Sequence, residues 1–101
     1  MNSKTQLIKQ TVTKIDLDKI ASYPELPKSK TLRQIIRYSQ RIQESNNDQE
    51  IFKLAVDTAY NLDTICDPDK AGYVKNEKEK KHWLEISREL FENTIGVRDK
   101  K

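Results

Sequence analysis

The sequence predicts an all-α protein, a small antiparallel bundle of three to four amphipathic helices. Apolar residues recur at three- and four-residue steps in three long stretches, which is the pattern of a helix with one buried face. The 101 residues include only two Gly and three Pro, too few for the many tight turns of an all-β domain. The connectors between the stretches are short, which favours antiparallel neighbours within one domain.

Residues 1–15 have the least definite pattern. Ile8, Val12 and Ile15 fit a helical stripe, although the β-branched residues here would also suit a strand. Because a lone strand would have nothing to pair with, we favour a helix. Its first residues, about 1–6, are expected to be frayed, since they add almost no apolar surface.

A short helix and a connector follow. Asp16 suits the cap of a helix over residues 17–23, because its carboxylate can accept hydrogen bonds from free backbone N–H groups. Pro24 stops that helix, since the residue before a proline disfavours helical geometry. The segment from Pro24 to Lys30 is predicted to be a connector, because its two prolines impose extended geometry.

The next predicted helix begins at Thr31 or Ser29 and ends near Ser45. Asn46 and Asn47 then interrupt the pattern. The buried stripe of this helix consists of Leu32, Ile35, Ile36, Ser39 and Ile42.

A third long helix is predicted to be capped by Asp48. Ala55 and Ala59 are small and one turn apart on its apolar face, so a neighbouring helix can approach closely there. Residues 67–75, with a proline and a glycine, form the last connector. The apolar face consists of Ile51, Leu54, Ala55, Thr58, Ala59, Leu62, Ile65 and Cys66.

Residues 76–96 have the longest single period. Asn76 is predicted to cap this helix, and Gly96 is predicted to end it by adopting the left-handed conformation. The stretch contains Trp83, the only tryptophan of the chain, so we expect the other elements to pack on it. Its stripe consists of Trp83, Ser87, Leu90, Phe91 and Ile95, widened by Leu84 and Ile86.

The composition bears on location and on cysteine chemistry. No apolar run approaches the roughly 18 residues that a membrane span requires, and residues 1–10 lack the apolar block of a secretion signal. We therefore expect a cytoplasmic protein. Cys66 is the only cysteine, which excludes an internal disulfide and a cysteine-based zinc site. It is expected to be a small buried residue rather than a reactive thiol.

The net charge of +3 is the sum of opposed blocks. Residues 26–43 contain five basic residues and no acid, whereas residues 44–69 contain seven acids and a single lysine. The helix that begins at Thr31 or Ser29 and the helix that follows it are therefore neighbours of opposite charge. They either attract each other along their rims, adding about 0 to 1 kcal/mol per pair, or present separate charged surfaces to partners.

One basic row is the strongest candidate for a binding surface. Arg33, Arg37 and Arg41 recur at one-turn spacing, with Lys30 before them and Tyr38 beside them. Such a row could follow a phosphate backbone or lie at the rim of a protein interface. The preceding connector is long for the turn of a helix-turn-helix motif. We take these five residues as candidate partner-binding residues.

The remaining motifs do not support catalysis or metal binding. Asp67, Asp69 and Gly72 fall at positions one, three and six of a calcium loop, but Lys78 stands where the bidentate glutamate is needed. His82 is the only histidine and has no evident catalytic partner. We expect no catalytic residue, cofactor or metal. The tyrosines, at positions 23, 38, 60 and 73, are all suited to anchoring a partner, and the sequence does not distinguish among them.

By elimination, the sequence favours a non-catalytic protein that binds another protein, as a regulator, an adaptor or an immunity-type protein. Its size, basic balance and expected bundle resemble those of the small cytosolic immunity proteins of bacteriocin producers, which are bulk features shared by many families. The alternative is a nucleic-acid-binding regulator that uses the basic face Lys30–Arg41. We expect a single domain over residues 1–101, with frayed ends at about 1–6 and 97–101.

Overall fold

The structure is a computed structural model that describes residues 2–96. Within this range all regular elements are helical, so the predicted all-α class is confirmed, and residues 1–15 contain a helix rather than a strand. The expected frayed end at 97–101 lies outside the described residues. The helices are α1 (Ser3–Val12), α2 (Leu17–Ser22), α3 (Lys30–Glu44), α4 (Asp48–Cys66) and α5 (Glu77–Glu92), with a short 3-10 helix (Leu26–Lys28) before α3.

Every α-helix begins at a polar side chain that accepts a backbone hydrogen bond. Such caps satisfy N–H groups that have no partner within the helix, each typically worth about 1 kcal/mol. Asp16 and Asn76 were predicted for this role and take it, and of the two predicted starts of α3, Thr31 and Ser29, it is Ser29 that forms the cap. The acceptor and donor pairs are Asn2 with Lys4 N, Asp16 with Lys19 N, Ser29 with Leu32 N, Asn47 with Glu50 N and Asn76 with Glu79 N.

The predicted cap of α4 is wrong by one residue. Asn47 has the extended backbone of a cap, and its side-chain oxygen lies 3.0 Å from Glu50 N. Asp48 is instead the first helical residue, where a negative charge is favoured by the helix dipole. Its carboxylate accepts a hydrogen bond of 3.0 Å from Thr5 Oγ1, so Asp48 ties α4 to α1.

The two ends of the described chain differ from the sequence expectation. Residues 1–6 were expected to be frayed, whereas α1 begins at Ser3 and Thr5 is fully buried. At the other end, α5 stops at Glu92 rather than at Gly96, and a turn occupies the residues between them. Gly96 does adopt the left-handed conformation, with φ of 72°, and its N–H donates to the Phe91 carbonyl.

Helices α3, α4 and α5 form one layer with α4 in the middle. α4 packs against both neighbours, while α3 and α5 do not come into contact within the described residues. Ala55 and Ala59 are fully buried, as the sequence predicted, and Ser87 of α5 donates a hydrogen bond of 3.0 Å to the Ala59 carbonyl. Small residues at this contact allow the close approach of the helices.

Helices α1 and α2 form a second layer on one face of the first. α1 contacts α3, α4 and α5, and Lys9 Nζ donates to the carbonyls of Gln43 and Ser45 at 3.1 and 2.8 Å. Lys14 of the same segment forms an ion pair of 2.9 Å with Glu89 of α5. The Cα atoms accordingly occupy a flat body of 37 × 34 × 18 Å.

Trp83 lies at the junction of the two layers. Its side chain is 1% exposed, and its indole Nε1 donates a hydrogen bond of 3.0 Å to the hydroxyl of Tyr23, which follows α2. The Tyr23 hydroxyl in turn donates to the Glu79 carboxylate, which lies 3.7 Å from Lys19 Nζ. Burial, together with the hydrogen bond to Glu79, raises the pKa of Tyr23 above its usual value of 10.0.

We expect Trp83→Ala to lower the free energy of unfolding by about 3 to 5 kcal/mol, because it removes the largest buried side chain and leaves a cavity. Urea unfolding followed by circular dichroism measures this loss. Leu84→Ala is the matched control, since Leu84 is 39% exposed on the same helix and its removal should cost less than about 1 kcal/mol. Equal effects of the two variants would contradict the central position of Trp83.

The raised pKa of Tyr23 predicts how the free energy of unfolding changes at alkaline pH. The folded pKa exceeds the unfolded value of 10.0, so the stabilisation from this group is complete below pH 10 and is lost as pH rises through the folded pKa. The free energy of unfolding should therefore fall more steeply above pH 10 in the wild type than in Tyr23→Phe. Parallel pH profiles from urea unfolding would show that the Tyr23 hydroxyl is not buried against Glu79.

Candidate protein-binding site

The face of the α3–α4–α5 layer opposite α1 and α2 is not covered by any element within residues 2–96. Four large hydrophobic side chains are exposed in this range, and three of them, Tyr60, Leu84 and Ile95, belong to α4, α5 or the turn after α5. Helical periodicity places the side chains of this face on the outward positions of the layer. We call this surface the open face and define it by Arg37, Tyr38, Arg41, Lys53, Asp57, Tyr60, Phe91 and Ile95.

Tyr60 is the most exposed large hydrophobic residue of the open face. It is 57% exposed, yet its ring packs edge-on against Phe91, with ring centroids 5.0 Å apart and planes at 76°. This contact joins α4 to α5 at the surface. Edge-to-face pairs stabilise the orientation of both rings, so a partner would meet Tyr60 in a fixed position.

A groove of about 540 Å³ runs between α3 and α4 on the same face. Tyr60 lies one turn beyond Asp57, the last groove residue along α4. The side chains that line the groove mix cations, anions, amides and apolar surface, which is the composition of a protein interface rather than of a hydrophobic cavity. They are Arg37, Tyr38, Arg41, Asn47, Gln49, Glu50, Lys53, Leu54 and Asp57.

Only one of the groove arginines has an ionic partner. Arg41 Nε lies 2.9 Å from Glu50 Oε2, and Ser45 Oγ donates to the other oxygen of that carboxylate at 2.8 Å. The hydrogen bond from Ser45, followed by that from Arg41, lowers the pKa of Glu50. Arg37 forms no ion pair in the part of the chain described, and its guanidinium lies 6.0 Å from the Tyr38 ring centroid.

The structure divides the five candidate residues into two groups. Arg37, Tyr38 and Arg41 line the groove together. Lys30 and Arg33 belong to the first turn of α3, and Arg33 Nη1 donates to the Pro27 carbonyl at 2.7 Å. The basic row is therefore interrupted, and the role of its members in binding remains a prediction.

Sequence reasoning missed the pairing of Tyr60 with Phe91. Phe91 was assigned to the buried stripe of α5, but it is only partly buried and lies at the rim of the core. The sequence did not distinguish Tyr60 from the other tyrosines as an anchor for a partner. Its position opposite the apolar face of α4 was the available signal, because a large aromatic residue at an outward helix position needs either a partner or a neighbouring ring.

The isolated reactive groups lie away from the groove. Cys66 is buried, and this burial raises the pKa of its thiol to about 11, so the thiolate is scarce at neutral pH. The exposed ring of His82 packs on Trp83 at a centroid distance of 4.9 Å. Asp67 Oδ1 accepts from Asp69 N at 2.8 Å, which makes a local turn. Residues 2–96 contain no group of three or more acidic, His or Cys side chains able to hold a metal ion.

The chain matches no protein-family model, and no curated protein or solved structure is significantly similar to it. Across residues 2–96, none of the helices combines the length and the apolar character that a membrane span requires.

Proposed function

We propose that this protein is a non-catalytic helical bundle that acts by binding another protein through the open face. The observation that carries the proposal is Tyr60, which is 57% exposed and held by Phe91 on an uncovered surface. Tyr and Arg are enriched among the residues that contribute most to binding energy in protein interfaces, and Arg37 and Tyr38 line the adjacent groove.

The charges of the open face favour a protein over a nucleic acid. A phosphate backbone requires a row of free cations, but Arg33 donates to a main-chain carbonyl and Arg41 is paired with Glu50. Asp57 lines the same groove and repels phosphate. Nucleic-acid binding is therefore the alternative that the experiment below tests. A cytoplasmic location and a regulatory, adaptor or immunity-type role remain predictions.

The test uses the full chain to capture partners from an extract of the source cell, with nuclease added and captured proteins identified by mass spectrometry. Tyr60→Ala should weaken capture at least about 30-fold, the effect of losing a contact worth roughly 2 kcal/mol. Leu7→Ala is the matched control. Leu7 is 46% exposed but lies on α1 in the other layer, so this variant should capture the partner normally.

Two results would contradict the proposal. The first is a partner lost with Leu7→Ala and retained with Tyr60→Ala, which would place binding on α1. The second is recovery of nucleic acid from a sample without nuclease, together with loss of all captured protein once nuclease is added. Circular dichroism on both variants confirms the fold, and Tyr60→Ala should cost only about 0.5 to 1.5 kcal/mol of stability from the lost ring contact.

A further inference from the structure

Arg37 of α3 and Lys53 of α4 line the groove from its two sides. The two helices are antiparallel, and the Arg41–Glu50 ion pair fixes their register. Arg37 lies one turn before Arg41 on α3, so it lies opposite the α4 turn that follows Glu50 and holds Lys53. Both cations line the groove, and neither forms an ion pair within residues 2–96.

The acids of the groove compensate this pair of cations only in part. Glu50 is already bound to Arg41 and Ser45. Asp57, the remaining acid, forms no ion pair in the described chain and offers one negative charge to two cations. Like charges that face each other repel, and an anion placed between them removes that repulsion. The groove therefore has a position for one negative group from outside.

Apolar surface lies directly beside this position. Leu54 packs against the core and also lines the groove, and the half-buried ring of Tyr38 lies next to Arg37. A ligand that fits both features carries one anionic group next to an apolar group. A polyanion fits poorly, because Glu50 and Asp57 flank the two cations along the groove.

We propose that the groove binds an acidic segment of the partner protein, with one Asp or Glu carboxylate between Arg37 and Lys53 and an apolar side chain on Leu54 and Tyr38. This inference rests on the proposed function and names the chemistry of the partner. A charge-assisted hydrogen bond from Arg37 to the carboxylate supplies orientation, and the apolar contact supplies affinity.

The test uses a displayed library of random 12-residue peptides, selected on the immobilised full chain at physiological salt. Enriched peptides should contain Asp or Glu next to an apolar residue. Fluorescence polarisation should then show that Arg37→Glu and Lys53→Glu each weaken binding at least tenfold. Lys4→Glu is the matched control, because it makes the same charge change as Lys53→Glu on α1, outside the groove, and should alter binding less than twofold.

Enrichment of peptides without acids, or failure to enrich any peptide, would overturn the inference. Equal losses in Arg37→Glu and Lys4→Glu would also overturn it, because they would show attraction by overall charge rather than by the groove. Circular dichroism checks that each variant is folded. We expect both to fold, because the introduced glutamate is attracted by the remaining cation of the groove. A captured partner that depends on Tyr60 but not on Arg37 or Lys53 would overturn this inference alone and leave the proposed function standing.

Discussion

The close packing of α4 between α3 and α5 is the constraint on which the rest of the structure depends. Ala55 and Ala59 are fully buried and leave room for the neighbouring helices, and Ser87 spans one of the contacts by donating to the Ala59 carbonyl. Because α4 separates α3 from α5, the layer has two broad faces. The short helices α1 and α2 cover one of them, and no helix within residues 2–96 covers the other.

Polar contacts attach the second layer in a fixed position. Trp83 and Glu79 both bond the Tyr23 hydroxyl at one end of the layer, and Thr5 bonds Asp48 at the other. Buried polar groups are costly unless their partners are in place, so these contacts specify where α1 and α2 lie as well as stabilising them. The same arrangement leaves Tyr60 and the α3–α4 groove accessible.

Much of the fold could be predicted from the sequence, because helix periods and caps are local properties. The buried positions Trp83, Ile86, Ser87 and Leu90 and the caps at Asp16 and Asn76 depend only on neighbouring residues, whereas Leu84 and Ile95 of the predicted stripe are exposed. The cap of α4 was predicted one residue too late, at Asp48 rather than Asn47, since both residue types are good caps and the backbone decides. The site was harder to predict, because charge blocks do not reveal the helix register, which pairs Arg41 with Glu50 and leaves Arg37 and Lys53 without an ion pair within residues 2–96.

We propose that a partner covers the open face rather than the α1–α2 layer. Hydroxyl-radical footprinting of the free chain and of the chain bound to its captured partner tests this most directly, because it reports side-chain exposure. We expect oxidation of Tyr60 and Phe91 to fall several-fold in the complex, while oxidation of Leu7, 46% exposed on α1, stays unchanged. Protection of Leu7 with undiminished oxidation of Tyr60 would contradict it.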